Sequence, residues 1–96
     1  MLRGAPLLSP GGLPLRGRRA VVTGGGRGIG RSIALAFGQA GADVAVTART
    51  LAEIEQVAAQ IQERGVRGLA ARCDVTAPEE VTQMAATVIA TLGGVD

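Results

Sequence analysis

The 96-residue sequence has no lysine, histidine, asparagine, tyrosine or tryptophan, and Phe37 is its only aromatic residue. Each absence narrows what the chain can be. Without a set of aromatic rings there is no platform on which successive bases stack, which excludes that mode of single-strand nucleic-acid binding; no nucleic-acid partner is expected. Without histidine the groups left for general acid–base work are carboxylates, and none of the eight acids forms a recognisable pair. Cys73 is the only cysteine. It excludes an intramolecular disulfide and fits a reducing, cytoplasmic compartment. No apolar run approaches membrane-spanning length, so no membrane partner is expected. Acid is missing from the first part of the chain: nothing acidic precedes Asp43, while Arg3, Arg16, Arg18, Arg19, Arg27 and Arg31 all do.

What is present is aliphatic and small. Apolar residues make up 47% of the chain and net charge is +2, the composition of a globular domain with a Val, Ile, Leu and Ala core. Residues 1–15 hold Pro6, Pro10 and Pro14 and a short Leu7-Leu8 pair. They read as a flexible basic extension ahead of the first strand. An acid-free leader with arginine also has features of an organellar transit peptide, against which its prolines count. The domain proper is expected over residues 16–96.

Hydrophobic periodicity then alternates. Ala20-Val21-Val22 is a short apolar run of the buried parallel-strand type. Glycines at 24, 25, 26 and 28 follow, and then Ile29, Ile33, Phe37 and Ala40 recur at helical spacing up to Gly41. Val44-Ala45-Val46 is the second strand. Thr50, with Glu53 three residues on, is a capping-box start for a helix whose buried stripe is Leu51, Ile54, Val57, Ala58 and Ile61, closed by Gly65. Leu69-Ala70-Ala71 is a weak third strand. Thr76 with Glu79 repeats the box pattern, Pro78 sits in the first turn, and Val81, Met84, Ala85, Val88, Ile89 and Leu92 form the last stripe before Gly93-Gly94. The order is βαβαβα, which calls for a parallel α/β sheet with right-handed crossovers.

The glycine cluster carries the functional argument. It begins one residue past a strand and runs into a helix inside a βαβ unit. Glycines let the backbone turn sharply and approach a diphosphate closely, and the helix beginning near Gly28 offers free N–H groups and a positive dipole end. A glycine-rich turn of no function is the bland alternative.

The spacing Thr23-Gly24-Gly25-Gly26-Arg27-Gly28-Ile29-Gly30 is TGxxxGxG, which resembles the short-chain dehydrogenase/reductase family. Ala20-Val21-Val22-Thr23 is similar to that family's first strand, Gly30-Arg31-Ser32-Ile33-Ala34 to its first helix, Cys73-Asp74-Val75-Thr76 to the segment after its third strand, and Gly93-Gly94-Val95-Asp96 to the lead-in to its fourth. The resemblance runs from about Leu13 to Asp96 and covers about the first third of a family domain. It implies a Rossmann-type doubly wound parallel sheet, truncated to βαβαβα with strand order 3-2-1, in which strand one lies at an open edge. It further implies that Gly24, Gly28 and Gly30 stand at the diphosphate, with Thr23 and Gly26 in the same motif, and that Ile29 contacts it through its backbone N–H. Asp74 would accept from the adenine amino group, with Val75 lining the adenine site; a helix-start acid is the other reading of Asp74.

Dinucleotide sites that take NAD hold the ribose 2′-hydroxyl with an acid near the end of the second strand. Here that position is Ala48, followed by Arg49. Asp43 lies at the other end of the strand, ~16 Å away. Arg49 suits a 2′-phosphate, and Arg27 matches a basic position in NADP-preferring relatives. Two arginines and no acid favour NADP over NAD, against the reading of both as solvated surface residues.

The family's chemistry needs a tyrosine, a lysine and a serine. The chain has no tyrosine or lysine, and its serines are Ser9 and Ser32. The reading is therefore the NADP(H)-binding part of an oxidoreductase acting on a small carbonyl or alcohol substrate, with no catalytic residue and no oligomer interface of its own. A non-catalytic dinucleotide-binding fragment acting through a partner is the alternative. A methyltransferase of Rossmann type is disfavoured by Ala48, where such enzymes carry an acid.

Overall fold

A computed structural model describes residues 13–96. The elements are β1 (Arg19–Thr23), α1 (Gly28–Gln39), β2 (Asp43–Ala48), α2 (Leu51–Gln62), β3 (Gly68–Arg72) and α3 (Pro78–Leu92). The three strands are parallel, in the order β1-β2-β3. This is the expected 3-2-1 order counted from the opposite edge. Register runs from Arg19 opposite Asp43 to Thr23 opposite Thr47, and from Val44 opposite Gly68 to Ala48 opposite Arg72.

The strands are short because glycine and polar residues bound each apolar run. β2 is central, so both its faces must be covered, and Val44 through Thr47 are all buried. Successive side chains alternate across a strand. Val44 and Val46 face α1 and α2 and join Val22, Ala34, Ile54, Val57 and Ile61 in the main core. Ala45 faces the other way and meets Val88 and Leu92 of α3. Helices on both sides of a parallel sheet make the chain doubly wound. Ile54 and Ile61 are fully buried, each contributing about 1.5–3 kcal/mol of transfer free energy.

The amphipathic stripes differ from those read in the sequence, and the reason is packing distance. In α1 the fully buried residues are Ala34 and Gly38, Phe37 packs on the core and Ala40 is buried just past the helix as expected, whereas Ile29 is 80% exposed and Ile33 is exposed as well. Small residues let α1 approach closely: a Cβ on Gly38 would stand 3.2 Å from Cγ2 of Ile61. Leu51, at the very start of α2, is exposed. In α3 only Val88 and Leu92 of the expected stripe are fully buried, with Met84 packed beside them, while Ile89 is exposed. That helix covers one narrow line of the sheet.

Both expected capping boxes are also absent. Thr50 occupies the N-cap of α2 but makes no side-chain cap hydrogen bond. The N-cap of α3 is Ala77, not Thr76, again without a side-chain bond. Thr76 has another partner, described below. Of the expected extension, residues 1–12 lie outside the described residues. Leu15 at its end donates its N–H to the Ala40 carbonyl at 2.8 Å and packs on the main core.

Candidate functional site

All three strands end on one side of the molecule, and the loops that follow them surround a cavity of about 380 Å³. Crevices at the carboxyl ends of parallel strands are where open α/β sheets bind ligands. Its wall comes from the loop after β1 (Gly24, Gly26, Arg27), from the end of β2 and the start of α2 (Thr47 to Thr50, Glu53) and from the segment after β3 (Cys73 to Thr76).

The glycine loop is pinned before it turns. The N–H groups of Gly24 and Gly25 both donate to the Thr47 carbonyl, at 2.8 and 3.2 Å. Gly24 has φ +66°, a backbone state that L side chains rarely adopt. Gly30 is required for a different reason: a Cβ there would run into the carbonyl oxygen of Gly24. The first turn of α1 therefore sits directly on the loop. Arg27 is the N-cap of α1, its side chain makes no cap bond, and no acid occupies the first turn. No acid of α1 itself offsets the positive end of the helix, the electrostatic setting for an anion.

Six of the residues singled out in the sequence line the cavity together: Gly24, Gly26, Arg27, Arg49, Asp74 and Val75. Thr23, Gly28, Ile29 and Gly30 do not. Thr23 ends β1 opposite Thr47, and Gly28, Ile29 and Gly30 form the first turn of α1 beside the loop. Asp43 is at the far end of β2, where it accepts from the Arg67 N–H at 2.8 Å and pairs with the Arg67 guanidinium at 3.1 Å. It is thus engaged elsewhere, as its distance in sequence implied.

Asp74 is held by its own loop. Its Oδ1 accepts from the N–H of Thr76 at 2.9 Å and from the Thr76 hydroxyl at 2.7 Å. These bonds favour the charged carboxylate and lower its pKa, with smaller help from Arg49 and Arg72 against a desolvation cost. Oδ2 makes no hydrogen bond among the described residues, so it remains a free acceptor on a residue that lines the cavity. The Asp74 N–H donates to Glu80 at 3.0 Å. Glu80 lies 3.6 Å from the Arg72 guanidinium, and Arg72 Nε donates to the Arg49 carbonyl at 3.1 Å. A chain of contacts thus connects the two ends of the cavity wall, Arg49 and Asp74.

The structure adds residues that sequence reasoning missed. Thr47 is fully buried, and its hydroxyl has no hydrogen-bond partner among the described residues. Cys73, also in the wall, is buried as a free thiol. Glu53 lines the cavity against the glycine loop; the sequence pattern had assigned it to a helix cap. Among the described residues no group of three or more histidine, cysteine or carboxylate side chains is placed to hold a metal, and no helix is long and apolar enough to cross a membrane.

The strand–glycine loop–helix unit and the segment after β3 both fall within a stretch that a family model matches. The sequence profile of the short chain dehydrogenases fits residues 18–96. The chain belongs to the short-chain dehydrogenase family. It is 47% identical over 77 residues to an uncharacterized oxidoreductase of Mycobacterium tuberculosis, covering 80% of this chain and 29% of that protein. It is 40% identical over 84 residues to the 7alpha-hydroxysteroid dehydrogenase of Escherichia coli, covering 88% of this chain and 33% of that one. Among solved structures, a short-chain dehydrogenase/reductase from Mycobacterium marinum superposes with a TM-score of 0.81 at 45% identity, over 85% of this chain and 33% of the other. A 7 alpha-hydroxysteroid dehydrogenase complexed with NADH and 7-oxo glycochenodeoxycholic acid superposes with a TM-score of 0.84 at 40% identity, over 88% of this chain and 33% of the other. The chain spans about a third of the length of these relatives.

Proposed function

We propose that these residues form the NADP(H)-binding part of a short-chain oxidoreductase that moves hydride between the nicotinamide cofactor and a carbonyl or alcohol on a small molecule. The observation that carries the reading is the cavity wall: Gly24 and Gly26, Arg27 and Arg49, and Asp74 with Val75 face one space, and the strand-end position is Ala48. The residues fit the group. The loop and the first turn of α1 hold a diphosphate by backbone N–H groups, Ile29 among them. Arg27 and Arg49 take the 2′-phosphate, and neither is ion-paired among the described residues. Asp74 Oδ2 accepts from the adenine amino group while Val75, 62% exposed, offers an apolar surface beside it.

When bound, the cofactor supplies the hydride. What this chain's residues do is hold and orient its adenosine and diphosphate end. Proton transfer to a carbonyl needs an acid, and no tyrosine, lysine or histidine is among these 96 residues. They bind cofactor and do not by themselves turn over substrate. The buried free thiol of Cys73 suits a reducing, cytoplasmic setting.

The test is a fluorescence titration of the protein with NADPH and with NADH, repeated after Arg49→Ala. NADPH is expected to bind more tightly than NADH, and the substitution to weaken NADPH by about tenfold or more, the scale of one lost charge-assisted contact. Equal affinities for the two nucleotides before and after the substitution would sink the reading.

A further inference from the structure

Glu53 has no task in the account so far. The capping role that its position suggests is not performed: Thr50 makes no side-chain cap bond, and the Glu53 carboxylate accepts no hydrogen bond from the Thr50 N–H. No arginine nitrogen lies within ion-pair distance of it among the described residues, where the ion pairs are Arg19–Asp96, Arg67–Asp43 and Arg72–Glu80. It is not turned out to solvent either. It is half-buried and lines the cavity with Gly26, Arg27, Arg49 and Thr50. Its Cβ and Oε1 lie 3.0 and 3.3 Å from the point where a Cβ on Gly26 would stand. Gly26 has no side chain, so the carboxylate occupies the space against the loop that a larger residue there would fill.

We infer that Glu53 sets the cofactor selectivity of this site, supplying from the first turn of α2 the acid that is missing at Ala48, so that the cavity takes NAD(H) as well as NADP(H). The inference rests on the dinucleotide reading and refines it. A carboxylate is an acceptor-only group: it receives a hydrogen bond from a ribose hydroxyl and repels a phosphate carrying nearly two negative charges. Arg27 and Arg49 act in the opposite sense. Apart from Asp74 at the adenine end, the wall therefore carries two cations suited to a 2′-phosphate and one further anion, Glu53, suited to a 2′-hydroxyl. Neither set is neutralised by the other through a direct ion pair. Asp74 is held by its bonds to Thr76, whereas Glu53 is unpaired among the described residues, and removing its charge tilts the site toward the phosphorylated ligand.

The test uses adenosine 2′,5′-bisphosphate and adenosine 5′-monophosphate, which probe the adenosine end alone, with calorimetric titration of the protein and of Glu53→Gln. Glutamine keeps the size and removes the charge. The bisphosphate is expected to bind about tenfold tighter to Glu53→Gln, the monophosphate to bind no tighter, and the difference to shrink in high salt. Glu53→Lys is expected to shift the ratio further in the same direction. Circular dichroism of both variants checks that α2 is retained, since the first turn loses a favourable charge. A ratio unchanged in both folded variants overturns the role of Glu53 and leaves the cofactor reading standing. Failure of the unsubstituted protein to bind either probe overturns both.

Discussion

The α-carbon of Gly30 faces the carbonyl oxygen of Gly24 so closely that a Cβ on Gly30 would run into it. The contact places the first turn of α1 on the loop that leaves β1, and the loop in turn hangs from the Thr47 carbonyl of β2. Three segments are thereby locked around the point where the free N–H groups of the helix emerge. Gly30→Ala is expected to push the helix off the loop, at a cost of about 1–3 kcal/mol in stability. NADPH affinity is expected to fall at least tenfold. Thermal melting and nucleotide titration of the variant read the two effects. An alanine variant with unchanged melting and unchanged affinity would mean that the close approach is not needed.

Ile61 tests the packing beneath the site. It is fully buried and touches Gly38 across the α1–α2 interface. Ile61→Ala is expected to destabilise by about 2–5 kcal/mol, because the neighbouring helices cannot collapse fully into the space. Urea unfolding monitored by circular dichroism checks this. A loss below about 1 kcal/mol would show a core looser than described.

The elements were legible in the sequence because glycine, proline and periodicity punctuate it: each strand is a short apolar run, and α1, α2 and α3 each end near a glycine. The stripes were only partly legible. Periodicity weighs large apolar residues, so it selected Ile29 and Ile33 in α1, whereas close helix packing selects the small Ala34 and Gly38. That Gly24, Gly26, Arg27 and Arg49 would lie together was legible from their places after β1 and β2, while Asp74 was singled out through the family resemblance. The place of Glu53 was not legible. There a local pattern, threonine followed three residues on by glutamate, suggested a cap, and only the fold brings that glutamate against a loop more than twenty residues earlier.

Arg19 and Asp96 test the fold's edge. Asp96 donates its N–H to the Arg19 carbonyl at 2.9 Å, its Oδ2 accepts from the Arg19 N–H at 2.8 Å, and the guanidinium of Arg19 also reaches Oδ2 at 3.2 Å. The hydrogen bonds from Arg19 hold the Asp96 carboxyl below the usual carboxylate range, with Arg18 adding a weaker pull. A lowered folded-state pKa means stability that is present above the unfolded value. It is lost as pH falls through the folded one. Asp74 adds in the same direction. Stability is therefore expected to decline below about pH 4. The margin between the protein and Asp96→Asn should shrink over the same range. Melting temperatures measured from pH 7 to pH 2 check it; a margin that grows on acidification would contradict the assigned bonds.

The rest of β1 is an open edge among the described residues, since Asp96 covers only its first residue. Ile29, Ile33, Ile89 and Val95 are exposed besides. An open edge with apolar surface favours association. The 96-residue chain by itself is expected to melt poorly or to aggregate. Light scattering during a thermal scan checks this, and a cooperative, monomeric melt above body temperature would contradict it.

The most direct test of the central claim is the structure of the protein in complex with NADPH. The account predicts the 2′-phosphate between Arg27 and Arg49, the diphosphate over the loop from Gly24 to Gly30, and the adenine amino group at Asp74. A nucleotide bound with its 2′-phosphate away from both arginines, or bound outside this cavity, would contradict it.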